Sequence, residues 1–598
     1  MSTGTVSTDE DIAETPLATP SLTALTGLGA SALLAGCGGG NDVGAGASPE
    51  RLLQAEVSSA DPNAAASATS SSATGTQPRQ LAQGGAQLAA ISATAAARFL
   101  AQASMGASRA DIASVQSLGY AGWLDAQFAM APSTSRWDWL VSKGYNALTY
   151  RNSETGFDNC AWRKLISSPD TLRQRVTLAL SEICVVAIDG LVGGGWRAFS
   201  AAAYLDLLEG EAFGNYRTLL GKISTSPAMG EFLTFRGNVK YNPATGALPD
   251  ENYAREVMQL FTIGLYQLNQ DGTTALAGGA PQETYGLADI TGLARIFTGW
   301  DFDMAGGNAT TPDFLHRPMI QIPKRHETGA STFLGKTVPS GLDGAASLNA
   351  ALDIIFAHPN VAPFISRQLI QKLVTSNPSS AYVARVAAVF SNDGKGVKGN
   401  LKAVIRALLL DSEARSLPTS ASTSYGKLRE PMLRMLAWAR AYHASSTTDA
   451  WAIGNTTDAG TRLGQSPLRS PTVFNFYRPG YVPPNGAVAA AGLAAPEFQL
   501  ANESSVVSYV NYMQRAVSKG IADVQADYSS LLPLAGDANA LLGEINTVLA
   551  AGQLSANTLS LLGAAIGTMP ASTDAARYNR IYAALTLVLA APEFIIQQ

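Results

Sequence analysis

The sequence predicts an all-α protein: a single large multi-helix domain after a disordered N-terminal tether. Three observations carry that expectation. From about residue 90 onward, apolar residues recur at spacings of three and four, the periodicity of helices buried along one face. Alternating Val, Ile and Thr runs of the kind that make half-buried strands are nearly absent. Hydrophobic residues make up 46% of the 598 and charged residues only 15%, so a large core is available and charge is scarce.

The chain opens on a candidate address. "SLTALTGLGASALLAGCGGG", residues 21–40, holds an apolar run of signal-peptide length, too short to cross a bilayer. It ends in Leu34-Ala35-Gly36-Cys37, which resembles the bacterial lipobox, where small residues fit a peptidase groove and the cysteine is lipidated. Residues 1–37 are therefore expected to be a signal and lipobox segment, with the protein exported and lipid-anchored at Cys37 in the cell envelope or periplasm. Asp9, Glu10, Asp11 and Glu14, with no Lys or Arg before Arg51, depart from the positive start such segments usually carry. Residues 38–90 are mainly Ala, Ser, Gly and Gln and cannot bury enough surface to offset their ordering entropy, so they are expected to be a disordered tether.

Residues 91–598 form the expected helical domain. "TAAARFLAQASM", "RADIASVQSLGYAGWLDAQFAM", "PDTLRQRVTLALSEICVVAI" and "AAAYLDLLEGEAFGNYRTLLGKIS" each read as amphipathic helix. So do "LADITGLARIFTGW", "SLNAALDIIFAH", "VAPFISRQLIQKLV", "AYVARVAAVF" and "NLKAVIRALLLDSEAR". "IYAALTLVLAAPEFII" is broken by Pro592 and Glu593 and reads as a buried helix with its stop. Cys160 and Cys184 permit a disulfide or two buried thiols, and the sequence leaves both open.

The net charge of −5 and the lack of an arginine-rich stripe exclude a nucleic-acid partner. No His-Glu-x-x-His pair, closely spaced Cys/His set, nucleophile elbow or phosphate loop is present, so no metal site is expected and no cofactor is indicated.

"DENYAREVMQLFTIGLYQLNQDG", residues 250–272, concentrates polar groups on one short helix. Asp250 is a candidate N-cap and Gly264 a candidate left-handed C-cap. At 100° per residue, Asn252, Arg255, Glu256, Gln259 and Thr262 fall within about 140° of Glu251, opposite Tyr253, Val257, Met258 and Phe261. That face is either solvated surface with an i,i+4 ion pair between Glu251 and Arg255, or the wall of a cleft with a held base and an anion clamp.

The same helix is followed by "YGLADITGLARIFTGWDFD" and then "RHETGASTFLG". In order and spacing, Glu251-Asn252-Tyr253-Ala254-Arg255-Glu256, Thr262, Gly264, Ala294-Arg295, Thr298-Gly299-Trp300, His326-Glu327 with Gly329, and Leu334-Gly335 resemble the bacterial family known as domain of unknown function 1800. "AHPNVAPFISRQLI", "GKLREPMLRM" and "SPTVFNFYRPGY" extend the likeness, which covers residues 93–597. The resemblance implies a largely helical, envelope-associated protein and, as partner, a co-exported sulfatase- or phosphatase-like protein. It implies no reaction. Asp250 and Glu327 replace the family's usual Asn and Asp. The Trp-His-x-His motif of some members is absent, with Ser181 and Ile183 in the histidine places.

The expected cleft has Glu251 or Glu256 as acid or base, Arg255 as clamp and His326 as second proton carrier. Asn252, Arg295, Trp300, Asp301 and Glu327 are its expected binding residues. Trp300 beside Asp301 suits stacking on a sugar ring, or plugs the core beneath its turn. Two functions follow: action on, or binding of, an extracellular polymer such as carbohydrate, or a non-enzymatic scaffold for the co-exported partner.

Overall fold

The computed structural model describes residues 90–305, 309–416 and 424–598. The expected signal and lipobox segment with Cys37, and the expected tether up to residue 89, lie outside the described residues. Within them the chain is built of helices joined by loops and two-stranded antiparallel ribbons.

The first helix, α1 (Ala93–Ala103), starts where the Ser92 hydroxyl accepts the Ala95 N–H. Next, α2 (Arg109–Ala129) opens on a capping box of Ser108 and Asp111, and it bends at Gly119, where φ is +72°. Then come α3 (Arg136–Ser142), α4 (Phe157–Ser167), α5 (Thr171–Ile183), α6 (Arg197–Glu211), α7 (Tyr216–Ser224) and α8 (Pro227–Phe232). The stretch "AAAYLDLLEGEAFGNYRTLLGKIS", one helix by periodicity, is two. Asn215 interrupts it, its side chain capping α7 through the Arg217 N–H.

After α9 (Asn252–Gln259) and α10 (Leu287–Ala294) come α11 (Gly344–Ala357), α12 (Val361–Leu373), α13 (Ser380–Ser391), α14 (Leu401–Leu410) and α15 (Pro431–Ala441). The last long helices are α16 (Glu503–Lys519), α17 (Ala538–Ala550), α18 (Ala556–Gly567) and α19 (Asp574–Ala590), with Pro592 starting a new turn as expected. The ribbons are β1 (Leu276–Ala277) with β2 (Ala280–Pro281), β3 (Trp300–Asp301) with β4 (Ile320–Gln321), and β5 (Ser331–Phe333) with β6 (Lys336–Val338). Further on, β7 (Lys427–Leu428) pairs with Ile596–Gln597.

One contiguous apolar core runs from Ala96 to Phe594. It brings α1 against α2 and α17, α5 against α6, α12 against α13, and α16 against α19. In α5 every residue is buried, which is unusual for a helix that contains Arg173, Arg175 and Glu182. Cys160 and Cys184 are free, buried thiols, and burial pushes both thiol pKa values up, so they stay protonated and inert at neutral pH. Among the described residues no helix is long and apolar enough to cross a membrane.

Candidate functional site

The residues singled out by the sequence are brought together in small groups. Glu251 accepts the Thr291 hydroxyl of α10 at 2.7 Å and lies 3.7 Å from Arg255. Four residues beyond Thr291, Arg295 stands 3.5 Å from Glu327. These five side chains form a half-exposed strip where α9 meets α10. Asn252 is exposed beside Thr234, at a long 3.5 Å.

The other expected site residues are elsewhere. Asp301 accepts Arg236 Nε at 3.0 Å, Arg325 Nη1 at 2.9 Å and the Phe302 N–H. Burial opposes its ionisation, yet the Phe302 N–H and the two guanidinium groups hold its carboxyl below the usual range. Trp300 is buried, in keeping with the core-plug alternative. His326 is also buried: Nδ1 faces the Thr298 carbonyl at 3.0 Å and Nε2 the Ser347 hydroxyl at 3.2 Å, so both ring nitrogens hold the β3 and α11 segments together.

Glu256, expected on the polar face, is 1% exposed and its Oε2 has no hydrogen-bond partner. Burial pushes its carboxyl up to about 7, against the pull of Arg255. Asp250 caps one residue differently from expectation: Glu251 is the N-cap, and Asp250 Oδ1 takes the Asn252 N–H at 2.9 Å. Gly264 adopts the expected left-handed φ, +72°.

A second cluster forms around three segments whose charged residues the sequence reading had not singled out: α5, "GKLREPMLRM" and "SPTVFNFYRPGY". Lys372 of α12 reaches Glu182 of α5 at 3.1 Å and the Tyr477 hydroxyl at 2.9 Å. Lys427 of β7 reaches Glu497 at 3.0 Å and donates to the carbonyls of Gln371 and Lys372. Glu430, fully buried at the start of α15, accepts Gln465 Nε2 and lies 4.0 Å from Lys427. Arg175, also fully buried, donates to the Lys372 carbonyl at 2.6 Å and is close enough to favour ionisation of both Glu182 and Glu430.

Three carboxyl groups thus face three cations in a dry interior, where an unpaired charge would be very expensive. Glu182 and Glu430 lie close enough to influence each other's ionisation. Burial and the Glu430 charge push Glu182 upward. Burial opposes ionisation of Glu430 as well, but Lys427 and Lys372 outweigh it and keep Glu430 low. Of the two, Glu182 is therefore the carboxyl that more readily takes up a proton.

Beside it lies a small recess of about 10 Å³, room for a single hydroxyl or water, lined by Ser181, Glu182, Gln465, Ser466, Ser470 and Asn475. The hydroxyls of Ser466 and Ser470 and the Nδ2 of Asn475 are buried without partners. Asn475 reaches this place because it closes the Thr472–Asn475 turn with φ +66°, a conformation asparagine tolerates. A raised carboxyl, that of Glu182, beside unpartnered hydroxyls and an amide can bind a hydroxyl group and exchange a proton with it.

Sequence reasoning missed these charged residues, though it had a signal: Glu182 in "LALSEICVV" and Lys372 in "LIQKLV" are single charges within short, largely apolar runs. Among the described residues no group of three or more His, Cys, Asp or Glu is arranged to hold a metal ion.

Helical architecture and motif order place the chain in a class, and the family comparison agrees. The family described as "Protein of unknown function (DUF1800)" matches residues 98–596, and the chain belongs to it. No curated protein and no solved structure matches.

Proposed function

We propose that this protein is an exported, lipid-anchored envelope protein that binds a hydroxylated group of an extracellular polymer, such as a carbohydrate end, in the recess beside Glu182 and Glu430. The observation that carries the reading is the set of unpartnered polar atoms on Ser466, Ser470 and Asn475 around that recess. Buried polar groups are nearly always satisfied, so a site that leaves three facing one hollow is built for a hydrogen-bonding guest. A sugar hydroxyl both donates and accepts, which matches two hydroxyls and an amide. Glu182, its carboxyl pushed upward by burial and by the Glu430 charge, supplies general acid–base capacity at that spot. On this reading, Glu251, Arg255, Arg295, His326 and Glu327 hold the framework, since each already has a partner.

The test is calorimetric titration of the purified chain with mono- and oligosaccharides. Saturable binding is expected, weakened at least tenfold by Asn475→Ala and by Ser466→Ala. Failure of every saccharide to bind a correctly folded chain would sink the polymer reading. Lipid anchoring is tested separately by labelled fatty-acid incorporation, which Cys37→Ala must abolish.

The scaffold alternative is favoured by one observation. Leu248, Leu265, Leu276 and Leu287, in the segments flanking α9, are all exposed large apolar side chains. A co-exported sulfatase- or phosphatase-like partner would cover them. Co-purification lost on Leu276→Asp with Leu287→Asp would favour this reading over the first.

A further inference from the structure

Between α8 and α9 the chain leaves the body of the protein as a narrow ribbon, and all ten residues from Val239 to Leu248 are exposed. The ribbon is held at its tip and at its base. At the tip, the Asn242 carbonyl accepts the Gly246 N–H at 2.8 Å and its side-chain oxygen accepts the Ala244 N–H at 3.0 Å. Gly246 closes the turn in the left-handed region, with φ +73°. At the base, the Asn238 side chain spans the two arms, accepting the Asp250 N–H at 2.9 Å and donating to the Asp250 carbonyl at 3.3 Å. A further bond runs from the Lys240 N–H to the Arg325 carbonyl at 2.8 Å.

What the ribbon presents to water is apolar and cationic together. Val239 is 44% exposed, Tyr241 47% and Leu248 66%. Asn242 bridges Ala247 in antiparallel register, which sets Tyr241 opposite Leu248, and Val239 stands two residues from Tyr241 along the same arm. Cations frame these three: Lys240 within the ribbon, and Lys324 and Arg325 in the segment fastened to it, all exposed. Among the described residues no ion pair engages Lys240 or Lys324, while Arg325 meets Asp301 at 2.9 Å. No acid occurs between Arg236 and Pro249. Asp250, at the base, already accepts the Asn252 N–H and the Thr234 hydroxyl.

We infer that this ribbon is a membrane-docking element, dipping Val239, Tyr241 and Leu248 into the headgroup layer of an anionic lipid surface while Lys240, Lys324 and Arg325 meet its phosphates. The inference concerns the folded domain and depends neither on a lipid at Cys37 nor on the polymer reading. Aliphatic side chains and a tyrosine, apolar in its ring and polar at its hydroxyl, suit the boundary between acyl chain and headgroup. A protein partner fits less well, because three side chains fall far short of the roughly 800 Å² per side that a stable protein interface buries. A bilayer asks for no such area: it yields around a projecting tip and offers negative charge on every side of it.

The experiment is vesicle co-sedimentation of the full chain carrying Cys37→Ala, so that no acyl chain contributes. The vesicles are phosphatidylcholine alone, or phosphatidylcholine with about 30% phosphatidylglycerol. Binding is expected on the anionic vesicles, about tenfold weaker on phosphatidylcholine, and weaker again as salt is raised. The combined Val239→Ser, Tyr241→Ser and Leu248→Ser variant should lose about tenfold or more, as should Lys240→Glu with Lys324→Glu. Both should keep the parent melting temperature, since every side chain changed is exposed. Brominated acyl chains should quench the fluorescence of Tyr241→Trp more strongly than that of the parent. Failure of the parent to bind anionic vesicles would overturn the proposal, and a ribbon used only by a protein partner predicts that failure. Parent-like binding by the serine variant would overturn the location. Equal binding to the two vesicles would overturn the role of the cations.

Discussion

The strip between α9 and α10 and the cluster around Glu182 contain similar chemistry and use it in opposite ways. In the strip, Glu251, Arg255, Arg295 and Glu327 keep roughly a fifth to a third of their side-chain surface in water, and their ion pairs are 3.5–3.7 Å long. In the cluster, Lys372, Lys427, Glu182, Glu430 and Glu497 are nearly or fully removed from water. Water screens the first set, so each pair adds little. The second set has only its own members for partners, so each member depends on the rest. Polar density on a helix face identified the strip. Isolation of a charge within apolar sequence was the better guide to where electrostatics matter.

That contrast can be broken by substitution. The largest effect is expected in the cluster: Glu430→Ala leaves Lys427 and Gln465 facing a void, and urea denaturation should show a loss of about 3–5 kcal/mol. A loss below about 1 kcal/mol would mean water reaches the cluster and the contrast with the strip is false.

Next comes Glu256, which belongs to the strip by sequence and to the interior by position. Burial pushes its carboxyl in the folded chain up to about 7, above the ordinary value of 4.5. A raised carboxyl contributes its full stability below the unfolded value and loses it as pH rises through the folded value, so the chain should weaken between pH 4.5 and 7. Glu256→Gln removes that dependence. It should stabilise the protein at pH 8 by up to about 3 kcal/mol and change nothing at pH 4, as read from denaturation midpoints at the two pH values. Glu231, raised to about 7 by burial, keeps a slope of the same sign in the variant.

A smaller effect is expected at Gly264, where φ is +72° and an added Cβ would come 2.7 Å from the Phe364 ring. Gly264→Ala should cost about 1–2 kcal/mol from the backbone alone, measurable by thermal denaturation. Smallest of all, Arg255→Ala should change stability by no more than about 0.5 kcal/mol. A loss several times larger would show that the strip is coupled like the cluster.

Much of the fold was legible because periodicity reports which face is buried, and nearly every expected helix is present. The failures are local and have causes. Glu256 stands about 140° from Glu251 on a helical wheel, at the margin of the polar face. Such a margin can lie under a neighbour that a single-helix projection omits. Thr262 lies beyond the end of α9, so the wheel does not apply to it, and its hydroxyl turns inward to the Val257 carbonyl. His326 looked like a loop histidine free to act, but Thr298 and Ser347 occupy both of its nitrogens. The cluster was visible only as separate oddities. That Glu182 meets Lys372, and Lys427 meets Glu497, depends on tertiary pairing that no local pattern encodes.

The ribbon between β7 and Ile596–Gln597 sets an order of assembly. Gln597 donates through Nε2 to the carbonyls of Leu373 and Val374, at 2.9 and 3.0 Å, just after Lys372. Both the strand that carries Lys427 and the helix end that carries Lys372 are therefore fastened by residues far downstream in the sequence. Until those emerge, a nascent chain holds its ammonium groups loosely, so the interior salt bridges close together rather than accrue helix by helix.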